Sequence, residues 1–501
     1  SVLLLNTTGV PDQQKTDIGI MTVGGAIGNT QKWKKNSLSV NASYINLAPY
    51  IAVFDDRNDW QKPVESIAGE VVFRQELGGG MLKCYSAFDT SNFELTQDDI
   101  NNANGVHFSV NNRNLYFNTS YKGMLNANWT LETGLSYTNA HNNNEIATAK
   151  IDNNENSFHA KLKLKHRFNN RFKFNVGAEY FATDLLEDYQ DTFTPKVNYG
   201  FNNNISAVFS EADIFFSKKL AIKAGLRLEN SELFNELTFS PRLSMAYKTS
   251  VKSQISLAYG DFYQNPNSNV LKFEQDLEAQ KTTHYIFNYQ YNNDGQLFRA
   301  EAYFKDYDKL VKYDSEYASF DSNYSNYGYG FAKGIDLFWR DSRSVKNVDY
   351  WLSYSYLDTK RNYQNYPIEA QPDFANTHNL SMVGKYWIED WRSQVGMSYN
   401  FASGRTYTNP NMPGFLNEKT KAYNNFSINW AYLISPQKIL YFSVNNVFGF
   451  SNVNGYQFAD VPDMNGDFAR RNLIPAADQF FFVGFFWTIS EKGTDNQLDN
   501  L

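Results

Sequence analysis

The chain has 501 residues, a formal net charge of −7 and a single cysteine, Cys84, which excludes a disulfide framework and a cysteine-based metal cluster. The mild negative charge argues against a nucleic-acid partner, and the sequence contains no run of 18 apolar residues, so membrane-spanning helices are not expected. A low mean hydropathy of −0.54 together with 17% aromatic residues is typical of transmembrane β-barrels, which have polar lumens and aromatic girdles.

Connections between the predicted strands alternate between tight turns and longer polar segments. The tight turns lie at ten places: 33–36, 78–80, 123–126, 169–170, 217–219, 248–251, 292–295, 342–347, 389–390 and 435–437. The longer segments also number ten: 51–65, 98–111, 143–155, 185–199, 230–237, 263–281, 309–325, 360–374, 402–420 and 450–475. Twenty connections imply 21 strands, and an additional first strand at residues 2–8 brings the count to 22. An even count with short turns at one end and long loops at the other is typical of outer-membrane barrels.

The two-residue alternation within a strand assigns its two faces. In 219–229 the apolar set is Leu220, Ile222, Ala224, Leu226 and Leu228, and the opposite set is Lys223, Gly225, Arg227 and Glu229. The same separation recurs in 171–180 and in 440–445. Because a Lys or Arg facing the middle of a bilayer costs about 2–4 kcal/mol, the charged set is predicted to face a lumen and the apolar set lipid.

The most apolar stretch, residues 479–490, is predicted to be the strand that closes the ring. Its outward set is Phe481, Val483, Phe485, Trp487 and Ile489, and its inward set is Phe480, Phe482, Gly484, Phe486 and Thr488. The sequence therefore predicts an all-β fold, a transmembrane antiparallel β-barrel of 22 strands over residues 1–490. A polar C-terminal tail over 491–501 is expected to follow it.

A series of short motifs from about residue 225 onward resembles the barrel of TonB-dependent outer-membrane receptors, in the form common among Bacteroidota. In chain order these motifs are Gly225-Leu226-Arg227-Leu228-Glu229, Phe239-Ser240-Pro241-Arg242-Leu243-Ser244, Tyr259-Gly260, Tyr263-Gln264-Asn265-Pro266, Leu277-Glu278-Ala279-Gln280-Lys281, Lys333-Gly334-Ile335-Asp336, Ser353-Tyr354-Ser355-Tyr356, His378-Asn379-Leu380, Ser403-Gly404-Arg405 and Asn445-Asn446-Val447-Phe448. Each motif is short, and their order over about 225–490 carries the resemblance. Before residue 225 the agreement is in strand pattern alone.

The resemblance implies an outer-membrane transport barrel that moves an unidentified solute into the periplasm. It also implies several partners: outer-membrane lipid, a plug domain, the TonB energy-coupling complex and other outer-membrane or surface lipoprotein subunits. We expect the plug and the coupling box outside these 501 residues, with the plug supplied by a preceding part of the polypeptide or by a partner chain. The alternative is a barrel that no longer transports and serves as a structural or scaffold subunit of a larger outer-membrane assembly.

A row of four cations on one face of a predicted strand is the first candidate ligand site. The row consists of Lys161, Lys163, Lys165 and Arg167. Facing inward, these side chains could guide an anionic solute through the lumen. The alternative is that they form ion pairs with lumen carboxylates or with a plug.

An aromatic loop is the second candidate ligand site. Tyr317, Phe320, Tyr324 and Tyr327, followed by Tyr329 and Phe331, offer rings on which a sugar or an aromatic chelate could stack. The alternative is that these rings belong to an aromatic girdle and to packing within the loop.

Signals for metal or catalytic chemistry are weak. The six histidines lack paired metal-ligand spacing, and no nucleophile elbow occurs, so neither a cofactor nor an enzymatic activity is predicted. Asp463, Asn465 and Asp467 alternate as oxygen ligands do in a calcium loop. Gly466 is misplaced for that motif and no bidentate Glu follows, which favours an ordinary Asx turn.

Overall fold

Backbone hydrogen bonds join 22 strands into one closed antiparallel ring in the computed structural model, which describes residues 9–54 and 56–490. The first strand pairs with the second on one side and with the last on the other, so the sheet has no free edge. Closure satisfies the backbone polar groups of every strand, which a sheet in lipid requires. The prediction of a 22-stranded antiparallel barrel is confirmed.

The barrel strands are β1 (Lys15–Met21), β2 (Gly24–Trp33), β3 (Asn36–Asn46), β4 (Asp59–Leu77), β5 (Gly80–Gln97), β6 (Val106–Met124), β7 (Trp129–Ile146), β8 (Ala149–Arg167), β9 (Phe172–Gln190), β10 (Val197–Phe215), β11 (Leu220–Ser231), β12 (Glu236–Lys248), β13 (Ser253–Gln264), β14 (Gln280–Asn293), β15 (Gln296–Tyr313), β16 (Tyr324–Asp341), β17 (Val348–Asn362), β18 (His378–Ile388), β19 (Ser393–Ala402), β22 (Tyr423–Ser435), β23 (Lys438–Asn445) and β26 (Phe480–Ser490). Two small hairpins stand in the loops, β20 (Thr406–Tyr407) with β21 (Glu418–Lys419) and β24 (Gly455–Phe458) with β25 (Arg470–Leu473). Two single-turn helices, α1 (Ala48–Ile51) and α2 (Ser268–Leu271), also lie in loops. Within the described ranges, no helix is long and apolar enough to cross a membrane.

The source of the twenty-second strand differs from the expectation. The predicted strand at residues 2–8 lies outside the described residues. The strand that completes the count is β1, which joins β2 through a two-residue turn at 22–23. This turn was not predicted from the sequence, although the Gly24-Gly25 pair that directly follows Thr22-Val23 is a turn signal and Gly24 has a φ of 149°.

The two ends of the barrel differ in the length of their connections. Short turns join β2 to β3, β4 to β5 and so on to β22 and β23, while the opposite end carries loops such as 265–279, 403–422 and 446–479. One predicted loop is wrong: in 143–155 the connection is only two residues, 147–148, with Ala147 at φ 52°. The surrounding polar residues belong to long strands, β7 and β8, that extend beyond the apolar band.

The alternating residues of neighbouring strands separate into an apolar and a charged face. Leu162, Val176, Val208 and Leu226 are exposed on one face. Lys161, Glu179, Glu211 and Arg227 lie on the other, where they form ion pairs with one another or with neighbouring side chains. The apolar face is the outer wall, because exposed apolar side chains suit hydrocarbon and the paired charges suit a polar lumen.

Cysteine labelling of intact cells tests the orientation of the two ends. In a Cys84→Ser background, Phe193→Cys and Met464→Cys place fully exposed thiols in the long connections, and Val251→Cys places one in a short turn. A membrane-impermeant maleimide is expected to label the first two from outside and the third only after lysis, because short turns face the periplasm. Labelling of Val251→Cys in intact cells would show that the short turns face outward and that the assigned orientation is wrong.

Candidate functional site

A network of charged side chains on the inner wall is centred on the largely buried Glu179 of β9. Its carboxylate is 2.7 Å from Lys161 Nζ of β8, and it also pairs with Arg227 Nη1 of β11. Arg227 in turn contacts Glu229 at 2.7 Å. Arg227 reaches Glu179 across the intervening strand β10, which is possible because side chains converge on the concave side of a barrel. These contacts hold the guanidinium and both carboxylates in fixed positions.

A second set of ion pairs lies beside the first. Glu211 is 3.5 Å from Lys223 Nζ and 3.9 Å from Lys163 Nζ, and Lys223 is also 3.8 Å from Asp213. A groove of about 270 Å³ runs between the two sets. Its charged lining residues are four cations and two carboxylates: Lys161, Lys163, Arg227, Arg242, Glu179 and Glu211. Cations therefore outnumber carboxylates among the lining residues, and Glu229, which pairs with Arg227 from outside the lining, reduces this excess.

The four cations predicted on β8 do not belong to a single site in the structure. Lys161 and Lys163 line the groove and pair with carboxylates, and Lys161 also lies over the ring of Phe209, 5.6 Å from its centroid. Lys165 and Arg167 lie further toward the periplasmic end of β8, where Arg167 bonds to the side chain of Asn170. All four face the lumen, but only two belong to one site.

The aromatic residues predicted to form the second ligand site also lie in different environments. Tyr317 and Phe320 are exposed in the loop between β15 and β16. Tyr324 packs inward, with its hydroxyl donating to the Ser319 carbonyl at 2.7 Å. Tyr327 is 85% exposed and follows the outward-facing alternation of β16. These four rings therefore do not form one stacking surface, and only Tyr317 and Phe320 are open to a ligand at the mouth.

A hydrophobic cluster at the extracellular mouth was not predicted from the sequence. It joins the wall to the loop that contains α2, and its buried members are Leu185, Phe201, Val270, Leu271, Leu277 and Val311. Beside it, Lys272 Nζ and Glu187 form an ion pair of 2.7 Å, with side chains only 13% and 7% exposed. Gln275 Nε2 donates to the Gly200 carbonyl at 3.1 Å. Residues 265–279 are thus packed against the inner wall at the mouth. The sequence signal was the group of apolar residues Val270, Leu271, Phe273 and Leu277 in a loop that is otherwise largely polar.

The longest loops hold one another through their hairpins. The ring of Tyr407 lies 4.6 Å from that of Tyr456, and Arg470 lies over Tyr456 at 4.5 Å. The Asn411 side chain bonds to Phe468 backbone atoms at 2.7 and 2.9 Å. Burial, together with the hydrogen bond that Tyr407 donates to Glu418, raises the pKa of Tyr407 to about 12. Tyr407 is therefore a hydrogen-bond donor at neutral pH.

The candidate calcium loop forms a turn in which backbone N–H groups already bond to the carboxylate of Asp463. Asp463 Oδ1 accepts the backbone N–H of Asn465 at 2.8 Å and that of Asp467 at 3.0 Å. These backbone N–H groups lower the pKa of Asp463, with the one from Asp467 the larger cause. Across residues 9–54 and 56–490, no three His, Cys, Asp or Glu side chains are grouped as metal ligands. The arrangement has the geometry of an Asx turn.

Comparisons with known proteins agree with this architecture. Residues 28–447 match the model of the family described as TonB dependent receptor-like, beta-barrel. No curated protein sequence matches the chain. Among solved structures, the ferric yersiniabactin uptake receptor FyuA from Yersinia pestis is 11% identical with a TM-score of 0.75, covering 97% of this chain and 81% of that chain. The outer membrane transporter YddB from Escherichia coli is 11% identical with a TM-score of 0.71, covering 95% and 81%. The siderophore receptor PiuA from Acinetobacter baumannii is 10% identical with a TM-score of 0.73, covering 96% and 82%.

A closed 22-stranded antiparallel ring with an apolar outer face and a charged inner face defines an outer-membrane β-barrel protein. Since the family match spans most of the chain, the protein belongs to the TonB-dependent receptor-like β-barrel family. Its location is accordingly the outer membrane. The expected family resemblance and location are confirmed.

Proposed function

We propose that this barrel transports a solute from the cell surface into the periplasm. The observation that supports the proposal is the excess of cations lining the groove on the inner wall, where Lys161, Lys163, Arg227 and Arg242 face two paired carboxylates. Side chains that only stabilised the wall would need no excess of one charge. An excess of cations favours an anionic solute, or an anionic segment of protein, passing along or resting on the wall.

A plug domain is part of this proposal. A barrel of 22 strands is wide enough to require a plug if the membrane is to remain sealed. We propose that the plug comes from a preceding part of the polypeptide or from a partner chain, and that the TonB complex displaces it. The mouth loops would then offer Tyr317 and Phe320 to the incoming solute, and Lys165 and Arg167 would extend the cationic path toward the periplasm. No catalytic step is assigned to any of these residues.

Planar-bilayer conductance tests the proposal. The 501-residue barrel alone is expected to give large, persistent and anion-selective pores, and the protein with its plug is expected to be nearly silent. Lys163→Glu with Arg242→Glu should shift the reversal potential toward cation selectivity, because both side chains line the groove. Lys218→Glu makes the same kind of charge reversal in an exposed periplasmic turn and should change selectivity much less.

Two results would contradict the proposal. An isolated barrel as silent as the plugged protein would mean that its own loops close the pore and that no plug is needed. Pores whose selectivity responds equally to the groove variants and to Lys218→Glu would mean that the inner-wall cations do not act on a passing ion.

A further inference from the structure

β1, the first strand of the β1–β2 hairpin, is too short to cross the membrane. β1 has seven residues, whereas a strand needs about 9–11 to span the hydrocarbon layer. Its turn at 22–23 ends beside Val483, whose carbonyl accepts the Thr22 N–H at 2.9 Å. β26 continues upward to Phe480 and therefore extends above the hairpin. β3 ends at Asn46, level with the turn, whereas β4 continues up to Asp59, so the wall has a notch between β26 and β4.

The α1 segment, residues 48–54, lies in the notch. Phe481 N–H, which has no β1 partner, donates to the Tyr50 hydroxyl at 3.0 Å. One step below, the Val483 N–H donates to Thr22 Oγ1 at 3.4 Å. Side-chain oxygens thus replace the missing strand as acceptors for β26. In contact with water these donors would need no such partners, whereas in hydrocarbon an unsatisfied backbone donor is strongly unfavourable.

Aromatic stacking fixes the segment to the wall. The Tyr50 ring lies 4.8 Å from that of Phe480, and the Phe54 ring lies 5.2 Å from that of Phe481 at an interplanar angle of 18°. Above these rings, Arg57 pairs with Asp478 at 2.6 Å. Phe480 belongs to the inward row of β26 and Phe481 to the outward row, so the segment packs over the end of this strand, with Phe54 on its outer face and the ion pair on the solvent side.

The outward surface of the segment remains apolar and uncovered. Val53 is 74% exposed and Phe54 is 37% exposed. Phe54 stacks on Phe481, which belongs to the outward row of β26 together with Val483 and Phe485. Directly below, Ile20 on the outer face of β1 is also exposed. The segment thus continues the lipid-facing surface across the gap that the short hairpin leaves.

We infer that the α1 segment is a membrane-contact element, with Val53 and Phe54 packed against acyl chains of the outer leaflet. The occupant is lipid because Phe54 and the exposed residues of the outer wall form a continuous apolar surface and because the N–H groups of Phe481 and Val483 are matched to side-chain acceptors. The segment substitutes for the upper part of two strands. On this side of the barrel, the wall is therefore completed by a loop.

Site-directed spin labelling of the barrel in phosphatidylethanolamine–phosphatidylglycerol vesicles tests the inference. In a Cys84→Ser background, nitroxides are attached at Val53→Cys, at Ile20→Cys as the lipid control and at Met464→Cys as the aqueous control. The label at Val53→Cys is expected to lose most of its accessibility to a nickel chelate relative to Met464→Cys and to gain accessibility to oxygen, as Ile20→Cys does. Heat-dependent mobility in gel electrophoresis verifies that each variant is folded.

Two outcomes would overturn the inference. Accessibility of Val53→Cys to the nickel chelate equal to that of Met464→Cys would place the segment in water. A strongly immobilised label that neither reagent reaches would mean that protein covers the surface. Neither outcome depends on whether the barrel transports a solute.

Discussion

Leu226→Arg is expected to prevent most of the chain from assembling into a folded barrel. Leu226 is the seventh residue of the twelve-residue strand β11, so it lies near the middle of the bilayer, and its side chain is 37% exposed on the outer face. Placing a cation at that depth costs about 2–4 kcal/mol. A penalty of this size is a large fraction of the stability of an ordinary domain. The yield of heat-modifiable barrel in the outer membrane measures the effect.

The matched control lies three residues away on the same strand. Lys223 faces the lumen, where it contacts Glu211 and Asp213 while remaining half exposed. Lys223→Gln removes a charge there and is expected to leave the yield close to that of the unchanged protein, because exposed pairs contribute about 0–1 kcal/mol. Equal yields from Leu226→Arg and Lys223→Gln would show that the two faces of β11 have been assigned wrongly.

Features that depend on the residues of a single strand could be predicted from the sequence. The alternation that separates Leu226 from Lys223, or Phe481 from Phe482, has a period of two and needs no knowledge of other strands. It failed where strands extend beyond the membrane: Asn142, Asn143 and Asn144 lie in β7, but with both faces polar they resemble a loop. It also failed for β1, whose seven residues are followed by a turn at Thr22-Val23 that was not predicted.

Features that join distant parts of the chain could not be predicted. The sequence placed Arg227 and Glu179 on the inner face, but not their contact across an intervening strand. It gave no reason to associate Leu271 in a loop with Leu185 in β9. The contact of α1 with β26 depends on how short β1 is, which the sequence reading did not recognise. Loop packing has no period, so only the folded chain shows it.

Lys272→Met is expected to detach the loop of residues 265–279 from the mouth while leaving the barrel folded. The substitution leaves Glu187 buried at 7% exposure, with the Asn153 amide at 3.2 Å as its remaining donor. Breaking a buried ion pair by removing one partner costs about 3–5 kcal/mol. The loop is otherwise held by a small apolar cluster and by hydrogen bonds such as that from Gln275 to the Gly200 carbonyl, so a cost of this size should release it. Hydrogen exchange at residues 265–279 is expected to lose protection, with the exchange of β9 and β11 unchanged.

Two further variants test whether the loss of protection comes from the unpaired buried charge or from the loss of the ion pair itself. Lys196 and Asp188 form an ion pair of 2.6 Å beside the first one, but Lys196 is 59% exposed, so Lys196→Met should change loop protection little. Glu187→Gln combined with Lys272→Met removes the buried charge as well as its partner and should restore much of the protection, because replacing both partners of a buried pair is often nearly neutral. If the double variant is as unprotected as Lys272→Met alone, the ion pair itself attaches the loop. If Lys272→Met leaves protection unchanged, the apolar cluster of Leu185, Leu271 and Leu277 is sufficient to hold the loop against the wall.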